Sequence, residues 1–92
     1  MELETFIQTQ LRRERERFEI EQDPVARQRL QDWISTIKNA PRSADAVQAL
    51  MDATEVEMNQ ADDLPELWQL GRERSALEWL QGVIRKAHAT PN

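Results

Sequence analysis

Asp63-Leu64-Pro65-Glu66-Leu67-Trp68-Gln69-Leu70-Gly71-Arg72-Glu73-Arg74-Ser75-Ala76-Leu77-Glu78-Trp79-Leu80-Gln81-Gly82-Val83-Ile84 is the stretch that decides the fold class. It opens with a helix start signal: an aspartate able to cap, a proline inside the first turn and a glutamate three residues after the cap, as in a capping box. Leucine, tryptophan and isoleucine then recur at three- and four-residue spacings, the period of a helix. At roughly 100° per residue, Leu67, Trp68, Gly71, Ser75, Trp79 and Gly82 fall within about 60° of Leu64, whereas Leu77, Leu80, Val83, Ile84 and Ala87 fall on the opposite side. A helix on the surface of a globule carries one apolar stripe. Two readings follow from two stripes. Either the helix lies between a partner on each side, one of them another subunit, or Gly71 bends it and re-phases the pattern. A mid-helix glycine costs about 1 kcal/mol against alanine, so close packing would have to repay it in an unbent helix.

Upstream, the same period places three more helices. Leu3, Ile7, Leu11 and Phe18 mark a narrow stripe through residues 2–22, interrupted by Arg12-Arg13-Glu14-Arg15-Glu16-Arg17, whose opposite charges three and four residues apart support a solvated helix. Asp23-Pro24 is a cap followed by the residue that tolerates the first helical position, so a second helix starts there after a kink or a full reversal. Leu30, Trp33, Ile34 and Ile37 give it one apolar face over 24–39, and it stops before Pro41. Ser43 caps a third helix over 43–59, with Val47, Leu50, Met51, Thr54 and Met58 as its face and Asn59–Asp62 as a fraying end. The fourth runs 64–88, with a loose tail at 89–92. The reading is an all-α single helical domain over 1–92. Leu70, Leu77, Leu80, Ile84 and Ala87 are spaced 7-3-4-3, broken only by Glu73, and Ile7, Leu11 and Phe18 are spaced 4-7. The long first and fourth helices are therefore expected to pack in a coiled-coil-like bundle. The chain carries no internal repeat and no low-complexity tract.

Composition narrows the function classes. With 92 residues there is room for one small domain, which buries only about 60–65% of its unfolded surface, and self-association is a common supplement at that size. There is no cysteine and one histidine, His88, so neither a thiolate zinc site nor a Ser/His/Asp set is expected. No glycine-rich loop suits a phosphate, and Asp62/Asp63 and Glu55/Glu57 lack the spacing of a calcium loop. The expectation is no enzyme, no cofactor, no metal and no small-molecule substrate. The N-terminal Met1-Glu2-Leu3-Glu4 lacks the charge and apolar run of a secretory leader, and no segment has the roughly 18 apolar residues of a membrane span. A soluble, cytoplasmic protein is expected.

The net charge of −5 is unevenly spread. Residues 1–42 hold eight bases and eight acids, residues 43–71 no base and seven acids, and residues 72–92 four bases and two acids. The acidic middle reads as a solvated helix or as a docking face for a basic partner. Arg12, Arg13, Arg15 and Arg17, together with Arg27 and Arg29, form the candidate basic face for nucleic acid, with interleaved glutamates cancelling much of its field. No helix-turn-helix signature accompanies it. Trp33 and Trp68 are expected in the core, and Trp79 in a core or an interface, where tryptophan is enriched.

The segment from Leu67 to Leu80 resembles small all-helical accessory and assembly proteins encoded among the virion genes of tailed bacteriophages. In these a leucine-rich helix carries a glycine (here Gly71), then Ala-Leu (Ala76-Leu77), then Trp-Leu or Leu-Leu (Trp79-Leu80), after an Arg/Glu-rich first helix. The likeness covers about a third of the chain and supplies no site residues. It implies a non-enzymatic role in virion production through protein–protein contacts, in the host cytoplasm or on the virion, with another protein or a second copy as partner. The alternative is a small regulatory protein contacting nucleic acid through its arginine-rich first helix. The candidate interface is Leu67, Trp68, Gly71, Ser75, Trp79 and Gly82.

Overall fold

The computed structural model describes residues 2–89 and contains four helices: α1 (Leu3–Ile20), α2 (Pro24–Lys38), α3 (Ala44–Gln60) and α4 (Leu64–Ala89). No strand occurs among the described residues. The boundaries follow side-chain chemistry. Asp23 Oδ2 accepts the Ala26 N–H at 2.9 Å, Ser43 Oγ the Ala46 N–H at 3.4 Å, and Asp63 Oδ1 the Glu66 N–H at 2.8 Å. Each satisfies an N–H that lacks a partner in the first helical turn. The start signals at Asp23, Ser43 and Asp63 are thus the ones the chain uses. The last helix reaches Ala89, one residue further than its periodicity suggests; residues 90–92 of the expected tail lie outside the described residues.

The described chain forms two compact units, one ending at Ala40 and one beginning at Pro41. In the first, α1 and α2 pack against each other, so the chain reverses at Asp23-Pro24. The link between them is three residues, and the side chain of Arg27 bridges it. Arg27 Nη1 donates to the carbonyls of Phe18 (2.8 Å) and Glu21 (2.9 Å), and its guanidinium carbon lies 4.1 Å from the centroid of the Phe18 ring. Carbonyls at the end of α1, left without helical N–H donors, are thereby satisfied by a cation stacked on an aromatic face. Phe6, Ile7 and Leu11 of α1 are buried, as are Leu30, Trp33, Ile34 and Ile37 of α2. Phe6 extends the stripe read from sequence, while Leu3 and Phe18 are only half-buried.

In the second unit α3 packs on α4. Val47, Met51 and Thr54 of α3 are buried, Thr54 donating its hydroxyl to the Leu50 carbonyl at 2.8 Å, which lets a polar residue sit on the apolar face. On α4, Leu70, Leu77, Leu80 and Ile84 are buried, with Leu70 and Ile84 no more than 1% exposed. α4 is unbroken through Gly71 and Gly82, and neither glycine has positive φ. Gly71 therefore does not break the helix, and both stripes belong to one continuous helix. α1 takes α2 as its close partner and α4 takes α3, so each long helix is paired with its neighbour in the chain.

Candidate functional site

The two faces of α4 differ in what they touch. On the buried face, polar residues fix the register against α3. Gln81, 5% exposed, donates from Nε2 to the Ala44 carbonyl (2.9 Å) and to Gln48 Oε1 (3.0 Å). Arg74 Nε donates to Glu55 Oε1 at 2.7 Å and Nη1 to Glu78 Oε2 at 3.3 Å. From Gln48 to Glu55 is seven residues forward on α3, and from Gln81 to Arg74 seven backward on α4, so the pair is antiparallel and in step over two turns. Glu73, the residue that breaks the apolar spacing, is buried on this face, and Gln69 Nε2 donates to its Oε2 at 2.9 Å. A buried carboxylate is tolerated when hydrogen bonds meet it. Neither Gln81 nor Arg74 was marked by apolar periodicity, because both reach across the helix pair with polar ends.

The other face touches nothing of comparable kind. Trp68 is 73% exposed, Trp79 66% and Leu64 66%; Ser75 and Gly82 are exposed, and Leu67 and Gly71 half-buried. The expectation that Trp68 lies in the core is corrected here. Its position about 40° from Leu64 places it on the face turned away from α3, and apolar character alone does not say which of two stripes finds a partner. Trp33, by contrast, is 5% exposed, as expected. Ala87, read with the Leu77–Ile84 stripe, is exposed: the register sets α3's first residue, Ala44, beside Gln81, so α3 begins too late to reach it. A Cβ built on Gly71 or Gly82 would meet nothing within 4 Å. Close packing inside the chain therefore repays neither glycine, although each costs helix stability of about 1 kcal/mol. Two tryptophans, two leucines, a serine and two glycines thus form an open, largely apolar strip along one side of α4. Leu64 belongs to this strip and extends the six residues picked from sequence.

The arginines of α1 are arranged differently. Arg12, Arg13, Arg15 and Arg17 are all exposed. At about 100° per residue they spread over more than half the circumference of the helix, with exposed Glu16 and Glu19 among them. Arg17 Nε also lies 4.0 Å from Glu14 Oε1. These residues make no single basic face. Arg27, grouped with them by sequence, is committed to the α1–α2 turn. A shallow depression beside that turn is lined by Phe18, Pro24, Arg27, Gln28 and Gln31, and it offers no nucleophile or acid–base pair. Among the described residues no group of three histidine, cysteine, aspartate or glutamate side chains comes together in a way that could hold a metal, and no helix is long and apolar enough to cross a membrane. No protein-family model matches the chain, and neither does any curated protein or solved structure.

Proposed function

We propose that this chain is a non-enzymatic helical interaction protein that works through the exposed strip of α4. The observation carrying the reading is the pair of tryptophans left about two-thirds or more exposed beside glycines with open space over them. Burying a tryptophan removes about 150–250 Å² from water, and exposed apolar surface of this kind is kept where a partner covers it. The setting that the likeness of Leu67–Leu80 supports is accessory or assembly work in the production of tailed-bacteriophage virions, in the host cytoplasm or on the virion.

A photocrosslinking amino acid placed at Trp79 in the producing cell, with Asp52 on the exposed side of α3 as the control position, tests this. Adducts from position 79 with a virion protein or with a second copy of the chain, absent from position 52, are expected. Equal yields from both positions, or none from 79, overturn the reading. Adducts only with proteins outside virion morphogenesis remove the bacteriophage setting.

A further inference from the structure

Within the exposed strip the same pair occurs twice: Trp68-Gln69-Leu70-Gly71 and Trp79-Leu80-Gln81-Gly82. The two are eleven residues apart, three turns with only about 20° of drift, so both tryptophans and both glycines share a face. This recurrence is shorter than a structural repeat and shows up only once the face is known to be open. Ser75 stands at its midpoint. Trp68 lies seven residues before it and Gly82 seven after; Gly71 lies four before and Trp79 four after. Reversing the direction of the strip about Ser75 therefore exchanges each large residue for a small one.

We propose that the occupant of this strip is a second copy of the same chain, with the two α4 helices antiparallel about a two-fold axis at Ser75. In that register Trp68 is level with Gly82 of the other copy and Trp79 with its Gly71, so along the axis each indole meets a position that has no side chain. A symmetric contact of this kind requires that residue i meet j while j meets i, which the spacing about Ser75 fulfils. Charge follows the same arithmetic. The acidic start of α4, with Asp62, Asp63 and Glu66, lies along its basic end, with Arg85, Lys86 and His88. A parallel arrangement would set acid beside acid and tryptophan beside tryptophan. Glycines at the contact allow an axial separation near the short end of about 8–10 Å, which brings Ser75 Cα atoms to within roughly 4–6 Å. The contact line spans about 21 Å, from Trp68 to Gly82. Four tryptophans contribute about 600–1,000 Å², less than the ~1,600 Å² of a standard stable interface. A contact of this size fits weak, reversible association and not a permanent dimer.

This inference rests on the α4 strip being the contact surface and adds its occupant and register. The chain has no cysteine, so Ser75→Cys places a lone thiol on the axis. Under mild oxidation it is expected to give a disulfide-linked dimer at least 10-fold faster than Asp52→Cys, because the Cα separation suits a disulfide. Sedimentation of the unaltered chain from about 1 to 300 µM is expected to show a monomer–dimer equilibrium. Gly82→Leu fills the space needed by Trp68 of the other copy while its Cβ meets nothing in its own chain, so it is expected to weaken association at least 10-fold with helicity and melting temperature kept or raised. A strict monomer at 300 µM, equal oxidation rates for the two cysteine variants, or association unchanged by Gly82→Leu overturns the pairing. A monomer whose position 79 still crosslinks to a virion protein defeats the pairing alone; a monomer with no such adduct defeats the proposed function as well.

Discussion

The two faces of α4 are built from similar residues and lead opposite lives. One buries Leu70, Leu77, Leu80 and Ile84 and is flanked by Gln81 and Arg74, which set the register with α3. The other carries Leu64, Trp68 and Trp79 in water. What separates them is the match between large and small residues within the chain. The leucine face is covered by the folded chain, whereas the tryptophan face alternates its bulk with glycines on which an added Cβ would meet nothing within 4 Å. Apolar content alone therefore does not make a core; a complementary surface does.

The sharpest way to break the comparison is to truncate one large residue on each face. Ile84→Ala is expected to destabilise the chain by about 2–5 kcal/mol, the cost of a cavity at a site with almost no exposure. Trp79→Ala at low concentration is expected to change it by no more than about 0.5 kcal/mol. Urea unfolding of both variants checks the contrast, and equal losses would erase the distinction between the faces. Next in size is Gln81→Met, which keeps length but gives up the hydrogen bonds to Ala44 and Gln48; a loss of about 1–2 kcal/mol is expected in the same measurement. On the open face Gly71→Ala is expected to raise stability by up to about 1 kcal/mol, visible as a higher melting temperature, since the added methyl meets no atom and removes backbone freedom from the unfolded chain. A fall instead would mean that this face is packed after all. The smallest effect belongs to Arg74→Gln. Its ion pair with Glu55 is partly exposed, so a loss of under about 1 kcal/mol is expected, shrinking further in added salt.

Much of this fold can be read from the sequence because its punctuation is local. Asp23, Ser43 and Asp63 each bond an N–H three residues on, and Pro24 fits a first turn whatever else the chain does, so boundaries emerge to within about two residues without knowledge of the packing. The apolar face of α2 was legible for a related reason: Leu30, Trp33, Ile34 and Ile37 form a single stripe with no competitor. Partnership was harder to read. Heptad-like spacing records only that a helix has a seam, not which helix meets it, so the close pairs α1 with α2 and α3 with α4 are not legible in it. Reversal at Asp23-Pro24 depends on Arg27 reaching back to Phe18, a contact invisible in any periodicity. Of the six residues chosen on α4, Trp68, Ser75, Trp79 and Gly82 are exposed and Leu67 and Gly71 half-buried; that Trp68 lies outside the core is not legible, because hydrophobicity carries no sign for inside or outside once a helix has two apolar stripes.

The Arg27 clamp also bears on how quickly the first hairpin forms. Its longest hydrogen bond reaches nine residues back, to Phe18, and the link it spans is three residues long. Closing a loop that short takes on the order of 10–100 ns, and helices of this length equilibrate in roughly a microsecond. A side chain holding the turn at so little sequence separation makes α1 and α2 a kinetic unit, able to find each other before the rest of the chain has settled. Replacing Arg27 should then slow the folding limb of a chevron more than it speeds the unfolding limb, marking the turn as a nucleus and not merely a finishing touch.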